Sequence, residues 1–136
     1  MWVLDASVAT KWFFTDEPHR KEALKVRSLL ADRPDQFFVP SLFFSEMLHV
    51  LARKSGFNHG FVENAMDLLL KLGIRGLALS DKGMSRAIYH ACHGLSGYDA
   101  TYLALAEDIH ARWITADVDA VHKAGSKHVM KLSEFN

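Results

Sequence analysis

The stretch MWVLDASV, residues 1–8, is a short apolar run that meets an acidic residue at its carboxyl end. The segment Met1–Asp5 has the length and apolar character of a buried strand, and the residues after it favour a helix. An isolated charge is expensive to bury, so a carboxylate at the edge of an apolar segment needs a partner. The stretch therefore predicts a strand–helix unit with Asp5 at the junction.

The rest of the chain continues this alternation of strands and helices. We predict strands at Met1–Asp5, Phe37–Val39, Gly76–Leu79, Trp113–Thr115 and His128–Leu132, and helices at Ala6–Phe14, His19–Asp32, Leu42–Lys54, His59–Leu72, Ser85–His93, Tyr98–Ile109 and Val118–Lys123. Such an order is typical of an α/β domain with a mainly parallel central sheet flanked by helices. Because no Gly- or Ser-rich linker divides the chain, we expect residues 1–136 to form one domain.

Local signals predict how several of these elements begin and end. Ser41 is expected to cap the helix that runs to Lys54, and Ser80 or Asp81 the helix before His93. Gly94 and Gly97 mark a predicted loop.

The charge balance gives no sign of a general nucleic-acid binder and does not exclude a nuclease. Sixteen basic and sixteen acidic residues cancel, so no excess positive charge is available to attract nucleic acid non-specifically. An acidic site balanced by basic residues elsewhere would give the same total. Arg53 and Lys54 form a basic pair that is either a solvated helix face or part of such a balance.

Membrane, export and disulfide signals favour a reducing cytoplasm. The apolar stretches are far shorter than the ~20 residues that span a bilayer. The first residues lack a basic segment and reach an acid at position 5, so we expect no signal peptide. Cys92 is the only cysteine, which excludes an intrachain disulfide, and we expect it to be a small buried apolar residue.

Four acidic residues stand at the edges of apolar segments. Asp5 and Asp117 each follow a predicted strand, Asp99 begins a helix, and Glu46 projects from the apolar side of its helix. Ligands of open α/β sheets bind beyond the carboxyl ends of the strands. A divalent metal is the simplest shared counter-ion for such a set, and oxygen ligands on Mg²⁺ or Mn²⁺ indicate phosphate chemistry.

Each acid alone has a structural explanation as well. Asp5 can cap a helix, Asp99 can complement a helix dipole, and Asp117 can stabilise a turn. Glu46 does not fit an exposed face, so its alternative is a partly buried ion pair with Arg or Lys.

Two other sites have weaker support. His90 and His93 flank Cys92, but no second ligand pair has a usual zinc spacing, so a structural role is favoured. His49 lies about one turn after Glu46 and could approach the acids. The chain has no P-loop and no second Asp two residues after Asp5, which counts against an aspartyl-phosphate phosphatase.

Four segments together resemble the PIN-domain family, and most closely the VapC toxins of toxin–antitoxin pairs. The segments are VLDASVATKWF (3–13), VPSLFFSEMLHVLARK (39–54), YDATYLALAE (98–107) and ITADVDAVHKAG (114–125). The resemblance runs from Trp2 to the closing VMKLSEF (129–135). It implies a PIN-like three-layer α/β domain with the activity of a metal-dependent endoribonuclease.

The resemblance also assigns residues to roles. It implies four carboxylates that are both metal ligands for Mg²⁺ (or Mn²⁺) and catalytic: Asp5, Glu46, Asp99 and Asp117. It implies supporting roles for the hydroxyls of Ser7 and Thr115, whereas Asp119 is an additional nearby acid with no assigned role.

Within this set we expect Asp5 and Asp99 to contact the first ion directly. Glu46 and Asp117 are expected to bind directly or through water, and Glu46 is the expected proton acceptor.

The implied partners are an RNA substrate, a cognate VapB-type antitoxin whose tail lies near the acidic site, and a second copy of the chain. Two alternatives stay open: a PIN nuclease of RNA processing or turnover, and a catalytically idle PIN binding module. The complete set of acids argues against the second alternative.

Overall fold

Five parallel strands form the centre of the computed structural model, which describes residues 1–136. The strands are β1 (Trp2–Leu4), β2 (Phe37–Pro40), β3 (Arg75–Leu77), β4 (Arg112–Thr115) and β5 (Val129–Lys131). The helices are α1 (Ala6–Thr10), α2 (Arg20–Asp32), α3 (Leu42–Lys54), α4 (His59–Leu70), α5 (Asp81–Cys92), α6 (Gly97–Asp108) and α7 (Val118–Ala124). The predicted α/β architecture is confirmed, and the sheet is entirely parallel.

The strand order is β3-β2-β1-β4-β5, so the first strand is the central one. The chain builds outward from β1 through β2 to β3 and then returns to the other side of β1 for β4 and β5. The neighbours β1 and β4 pair Trp2 with Arg112 and Leu4 with Ile114. This reversal of order creates a crevice at the carboxyl ends of β1 and β4, which is where ligands bind in open α/β sheets.

The core lies on both sides of these central strands. Helix α6 packs over β1, β2 and β4, and six of its residues are buried. The largest fully buried side chains are Trp113, Tyr102, Phe37 and Phe43. None of the helices combines the length and the apolar character needed to cross a membrane.

Several local predictions were wrong, each for a physical reason. Ser41 has helical backbone angles and its side chain makes no capping hydrogen bond. The predicted cap at Ser80 is confirmed, since its hydroxyl accepts from the Gly83 amide at 2.9 Å, but α5 begins at Asp81 and not at Ser85. Gly97 opens α6, with Ser96 as its cap, and does not lie in a loop. Cys92 is exposed, because α5 turns the face of Gly83 and Ala87 towards α6 and Cys92 lies on a different face.

Helix α1 is also shorter than predicted. It ends at Thr10, and irregular turns replace the helix before Phe14. Because the chain leaves the helix at this point, Lys11 and Glu17 can be brought close together, and their Nζ and Oε2 atoms lie 3.3 Å apart.

Candidate active site

A pocket of about 430 Å³ opens at the carboxyl ends of β1 and β4. All four predicted acids line it. Its remaining lining residues are Ala6, Ser7, Thr10, Lys11, Glu17, Val50, Lys54 and Ala116. The pocket is therefore polar, with negative and positive side chains on its walls.

Asp5 is the most deeply placed acid, at 8% exposure. Its amide donates to the Ile114 carbonyl at 3.1 Å, which ties it to the end of β4. The Ser7 amide donates to Oδ2 at 3.0 Å, and the Trp113 indole nitrogen donates to Oδ1 at 3.0 Å. Burial raises the pKa of Asp5, the two hydrogen bonds oppose that rise, and the charge of Asp117 adds to it. Asp5 thus caps α1 and also faces the pocket without a cation beside it.

Glu46 reaches the pocket from the half-buried side of α3. Its partner is not the Lys or Arg of the alternative interpretation but the Tyr102 hydroxyl, which donates to Oε1 at 2.9 Å. Burial, followed by the charges of Asp5 and Asp99, raises the pKa of Glu46 to about 7, although the Tyr102 hydrogen bond lowers it. The side chain can therefore exchange a proton near neutral pH.

Asp99 enters from the first turn of α6, whose cap is the Ser96 hydroxyl that accepts from the Asp99 amide at 3.0 Å. Burial raises the pKa of Asp99 to about 6, with further contributions from the charges of Asp5 and Asp117. The acids thus act on one another electrostatically, as groups around a shared site do.

A hydroxyl network supports the exposed Asp117 and joins the ends of β1 and β4. The Asp117 amide donates to the Thr115 hydroxyl at 3.1 Å, and the Asp117 carboxylate caps α7 by accepting from the Ala120 amide at 3.1 Å. The Ser7 hydroxyl accepts from the Ala116 amide at 3.0 Å and lies 3.5 Å from the Thr115 hydroxyl. Ser7 and Thr115 therefore hold the loop that carries Asp117 against the end of β1.

Asp119 is the one predicted acid that does not line the pocket. It is exposed in the first turn of α7, two residues beyond Asp117.

A stacked aromatic pair behind the acids was not predicted. Tyr102 and Trp113 bind Glu46 and Asp5 respectively, and their rings stack with centroids 5.9 Å apart. The sequence did contain a signal: a Tyr and a Trp in segments predicted to be buried need hydrogen-bond partners for their polar atoms.

Three further charged residues line the pocket without having been predicted to do so: Lys11, Glu17 and Lys54. Lys11 is only 5% exposed and donates to Glu17 Oε2 at 3.3 Å, while Lys54 donates to Glu17 Oε1. The spacing of Glu46, Val50 and Lys54 at steps of four places them on one helix face, which was a signal available in the sequence.

Polar burial is concentrated around this pocket. The buried polar or charged residues of the chain are Asp5, Thr10, Lys11 and Thr115. Three of them line the pocket and the fourth supports Asp117. The fold therefore bears the cost of desolvating polar groups in one region, which is typical of a functional site.

The donors fit a hard divalent cation in their chemistry. All four are carboxylates, and burial together with mutual repulsion raises the pKa of three of them, which a cation would relieve. No three acidic, His or Cys side chains are arranged closely enough to surround an ion by themselves. The acids thus have the oxygen chemistry of a hard-cation site, but in this structure they are not drawn together around an ion.

The other candidate residues have structural partners. His90 shares a hydrogen bond of 2.9 Å with Glu107, and His93 shares one of 2.7 Å with the Tyr89 carbonyl. His49 lies 3.1 Å from an Arg53 nitrogen and lines a neighbouring pocket of about 370 Å³. That pocket also includes Glu46, so His49 lies beside the candidate site and not in it.

A larger cleft of about 550 Å³ lies between α3 and α4 and is mainly apolar, with Leu48, Phe57 and Leu70 among its lining residues. Its two carboxylates, Glu63 and Asp67, are exposed and pair with His59 and Lys71, and the polar pocket is therefore the better candidate for chemistry.

Known structures share this fold. A toxin–antitoxin complex from Klebsiella pneumoniae matches with a TM-score of 0.69 and 20% identity over 97% of this chain and 98% of that chain. The Mycobacterium tuberculosis toxin VapC20, described as cleaving the sarcin–ricin loop, matches with a TM-score of 0.67 and 16% identity over 95% and 97%. A Pyrobaculum aerophilum protein matches with a TM-score of 0.65 and 18% identity over 97% and 89%. At these identities the likeness concerns the fold alone.

Sequence comparison gives the family. No curated protein matches the chain significantly. A family model described as the PIN domain, however, matches residues 2–126, which is nearly the whole chain. With the parallel sheet and the acidic pocket described above, this match establishes that the chain belongs to the PIN domain family.

Proposed function

We propose that residues 1–136 form a single PIN domain that acts as a metal-dependent endoribonuclease, the toxin of a type II toxin–antitoxin pair. The observation that carries this proposal is the convergence of Asp5, Glu46, Asp99 and Asp117 on one pocket at the switch point of the sheet. Such a set serves phosphodiester hydrolysis, in which an attacking water and the charge growing on phosphate must both be managed.

Mg²⁺ or Mn²⁺ is the proposed cofactor. When bound, a divalent cation lowers the pKa of water and offsets the charge that develops on the phosphate oxygens. Asp5 and Asp99 are proposed as direct ligands, with Glu46 and Asp117 binding directly or through water. The hydrogen bonds from Ser7 and Trp113 would keep both oxygens of Asp5 in place.

Glu46 is proposed to accept the proton of the attacking water. A general base works best when its pKa is close to the working pH, and the metal-free pKa of Glu46 is about 7. Tyr102 would orient this carboxylate, because its hydroxyl donates to Oε1 and leaves Oε2 for the proton.

The toxin role rests on the likeness to known toxins. Because one similar structure is a toxin–antitoxin complex and another is a VapC toxin, we propose a cognate VapB-type antitoxin. We also propose a homodimer, as the family resemblance implies, and a cytoplasmic location, which suits a chain with a single cysteine. Growth arrest on expression, relieved by a small neighbouring DNA-binding protein, would support the toxin role. Cleavage activity without growth arrest would favour an RNA-processing nuclease.

The purified protein incubated with single-stranded RNA tests the nuclease. We expect cleavage in Mg²⁺ or Mn²⁺, none in EDTA, and a loss of about 100-fold or more for Asp5→Asn and Asp99→Asn. Asp67→Asn is the matched control, since Asp67 is exposed and pairs with Lys71 away from the pocket. Cleavage by Asp5→Asn at the wild-type rate would refute the assignment, and binding without cleavage by the wild type would favour an idle binding module.

A further inference from the structure

Two lysines share a single carboxylate at the edge of the acidic pocket. Glu17 accepts from Lys11 through Oε2 and from Lys54 through Oε1, and all three residues line the pocket together with the four acids. We propose that Lys11 and Lys54 form a subsite for a backbone phosphate of RNA, which Glu17 fills in the free protein. This inference rests on the proposed function, because it concerns how the same pocket holds its substrate.

The position of Lys54 relative to Glu46 indicates that Lys54 would bind a phosphate next to the scissile phosphate and not the scissile phosphate itself. Glu46, Val50 and Lys54 follow one another at steps of four on α3 and all line the pocket. Eight residues of helix span about 12 Å, so Lys54 lies about 12 Å further along α3 than Glu46. A strand cleaved at the acids would pass over the two lysines.

Lys11 is placed as a binding residue would be. It is buried, yet it is one of the residues that line the pocket, and its ammonium group pairs with Glu17, which lines the pocket as well. A buried Lys costs desolvation energy unless an anion offsets it, so the site has a strong preference for a bound negative group. The ammonium of Lys54 is further held 5.0 Å from the centre of the Phe14 ring. Both cations are thus fixed before any substrate arrives, which lowers the entropy lost on binding.

Glu17 lies where a phosphate could displace its side chain from the two lysines. It belongs to the irregular connection between α1 and α2, so its displacement breaks no helix. A carboxylate between two ammonium groups presents its oxygens much as a phosphate does, so a phosphate can take its place. An RNA phosphate also belongs to a polyanion, whose neighbouring phosphates add to the attraction. The triad keeps one net positive charge when Glu17 is present and gains a second when it leaves.

Fluorescence anisotropy of a short labelled single-stranded RNA tests the subsite. The titrations are made in Mg²⁺ with Asp5→Asn as the background, so that the RNA stays intact, and thermal unfolding checks that each variant is folded. Glu17→Gln keeps the shape and a hydrogen-bond acceptor for Lys11 but removes the competing charge. Glu63→Gln is its charge-matched control, because Glu63 is exposed on α4 outside the pocket.

We expect Glu17→Gln to tighten RNA binding about three- to fivefold relative to Glu63→Gln. Lys54→Gln should weaken binding by a similar factor and reduce the slope of log Kd against log salt by about 0.7, the value for one contact to single-stranded nucleic acid. Its control is Lys71→Gln, which removes an exposed Lys that directly follows α4 and does not line the pocket.

Equal affinities and salt slopes for each variant and its control would overturn the subsite and leave a purely structural ion triad. This failure is separate from that of the nuclease. Cleavage by the wild type with unchanged affinities in both pairs overturns the subsite alone. Shifted affinities without cleavage by the wild type support the subsite while refuting the proposed activity.

Discussion

The rings of Tyr102 and Trp113 stack with their planes 16° apart, and each ring holds one carboxylate of the pocket. The Tyr102 hydroxyl donates to Glu46 and the Trp113 indole donates to Asp5. These contacts join four elements at one place behind the acids: helix α6, strand β4, the end of strand β1 and helix α3. Because both rings are buried in the core, the positions of Asp5 and Glu46 depend on core packing as well as on their own backbone.

The Trp113 hydrogen bond can be removed while much of the ring is kept. We expect Trp113→Phe to lower hydrolysis about 10- to 100-fold, because a support of a ligand is lost, and to destabilise the fold by about 1–3 kcal/mol. Activity assays and urea unfolding measure the two effects. Trp2→Phe is the control, since Trp2 packs edge-on against Phe135 away from the acids. Equal losses for the two variants would show that the indole bond to Asp5 has no special role.

Tyr102→Phe should change the pH dependence of hydrolysis. The Tyr102 hydroxyl lowers the pKa of Glu46, so its removal raises that pKa further above its usual value. We expect the acid limb of the pH–rate profile to move to higher pH, with activity at neutral pH down about tenfold and partly recovered in alkali. Tyr89→Phe, on an exposed residue of α5, should leave the profile unchanged. An unshifted profile in Tyr102→Phe would argue against Glu46 as the proton acceptor.

Without metal, stability should fall as the pH rises. The folded-state pKa values of Glu46 and Asp99 are raised to about 7 and about 6 from 4.5 and 3.8, so the folded protein binds more protons than the unfolded chain between those limits. The stabilisation is complete below the unfolded values and is lost as the pH passes through about 6 to 7. In EDTA we expect a higher Tm at pH 5 than at pH 8. A Tm that increases over this range would contradict the raised pKa values.

The same repulsion predicts the effect of neutralising one acid. Asp99→Asn removes a charge that raises the pKa of Glu46, so the metal-free protein at pH 8 should have a higher Tm than the wild type. Addition of Mg²⁺ should raise the Tm of the wild type and have little effect on the variant, because ligand binding to the folded state alone stabilises it. Asp67→Asn serves as the control. A full Mg²⁺ response in Asp99→Asn would remove Asp99 from the ligand set.

A prediction independent of function concerns Gly83 in α5. A Cβ at this position would collide with the carboxylate of Asp108, which accepts hydrogen bonds from the backbone and hydroxyl of Ser80 and from Arg86. Gly83→Ala should cost about 1–3 kcal/mol in urea unfolding, as overpacking does. At Gly97 nothing lies near the added Cβ, so Gly97→Ala should be close to neutral. Similar changes in the free energy of unfolding at both positions would show that the Asp108 side chain can move aside without loss of stability.

The sequence predicted the sheet and the acids because both rest on local patterns. An apolar run that ends in an acid identifies a strand end, and Asp5 and Asp117 are found there. Glu46 was recognised because its helical neighbours are apolar, and it is indeed half-buried. The family resemblance is confirmed by the match over residues 2–126. The ligand set itself stays a prediction.

Other features depend on tertiary contacts that no local pattern encodes. Cys92 was expected to be buried as a small apolar residue, but the orientation of α5 on α6 decides its exposure. Lys11 and Glu17 are close in sequence, yet the early end of α1 was needed to bring them together. Tyr102 and Trp113 meet only because α6 crosses β4.

The place of β1 at the centre of the sheet has a consequence for biosynthesis. Asp5 is translated before β2 and β3, whereas Thr115, Asp117 and the Trp113 indole that holds Asp5 follow more than a hundred residues later. A nascent chain can pair β1 with β2 and β3 while one whole side of β1 stays vacant. The pocket therefore cannot exist until β4 and Asp117 have been translated, and products interrupted before β4 would carry no assembled set of acids.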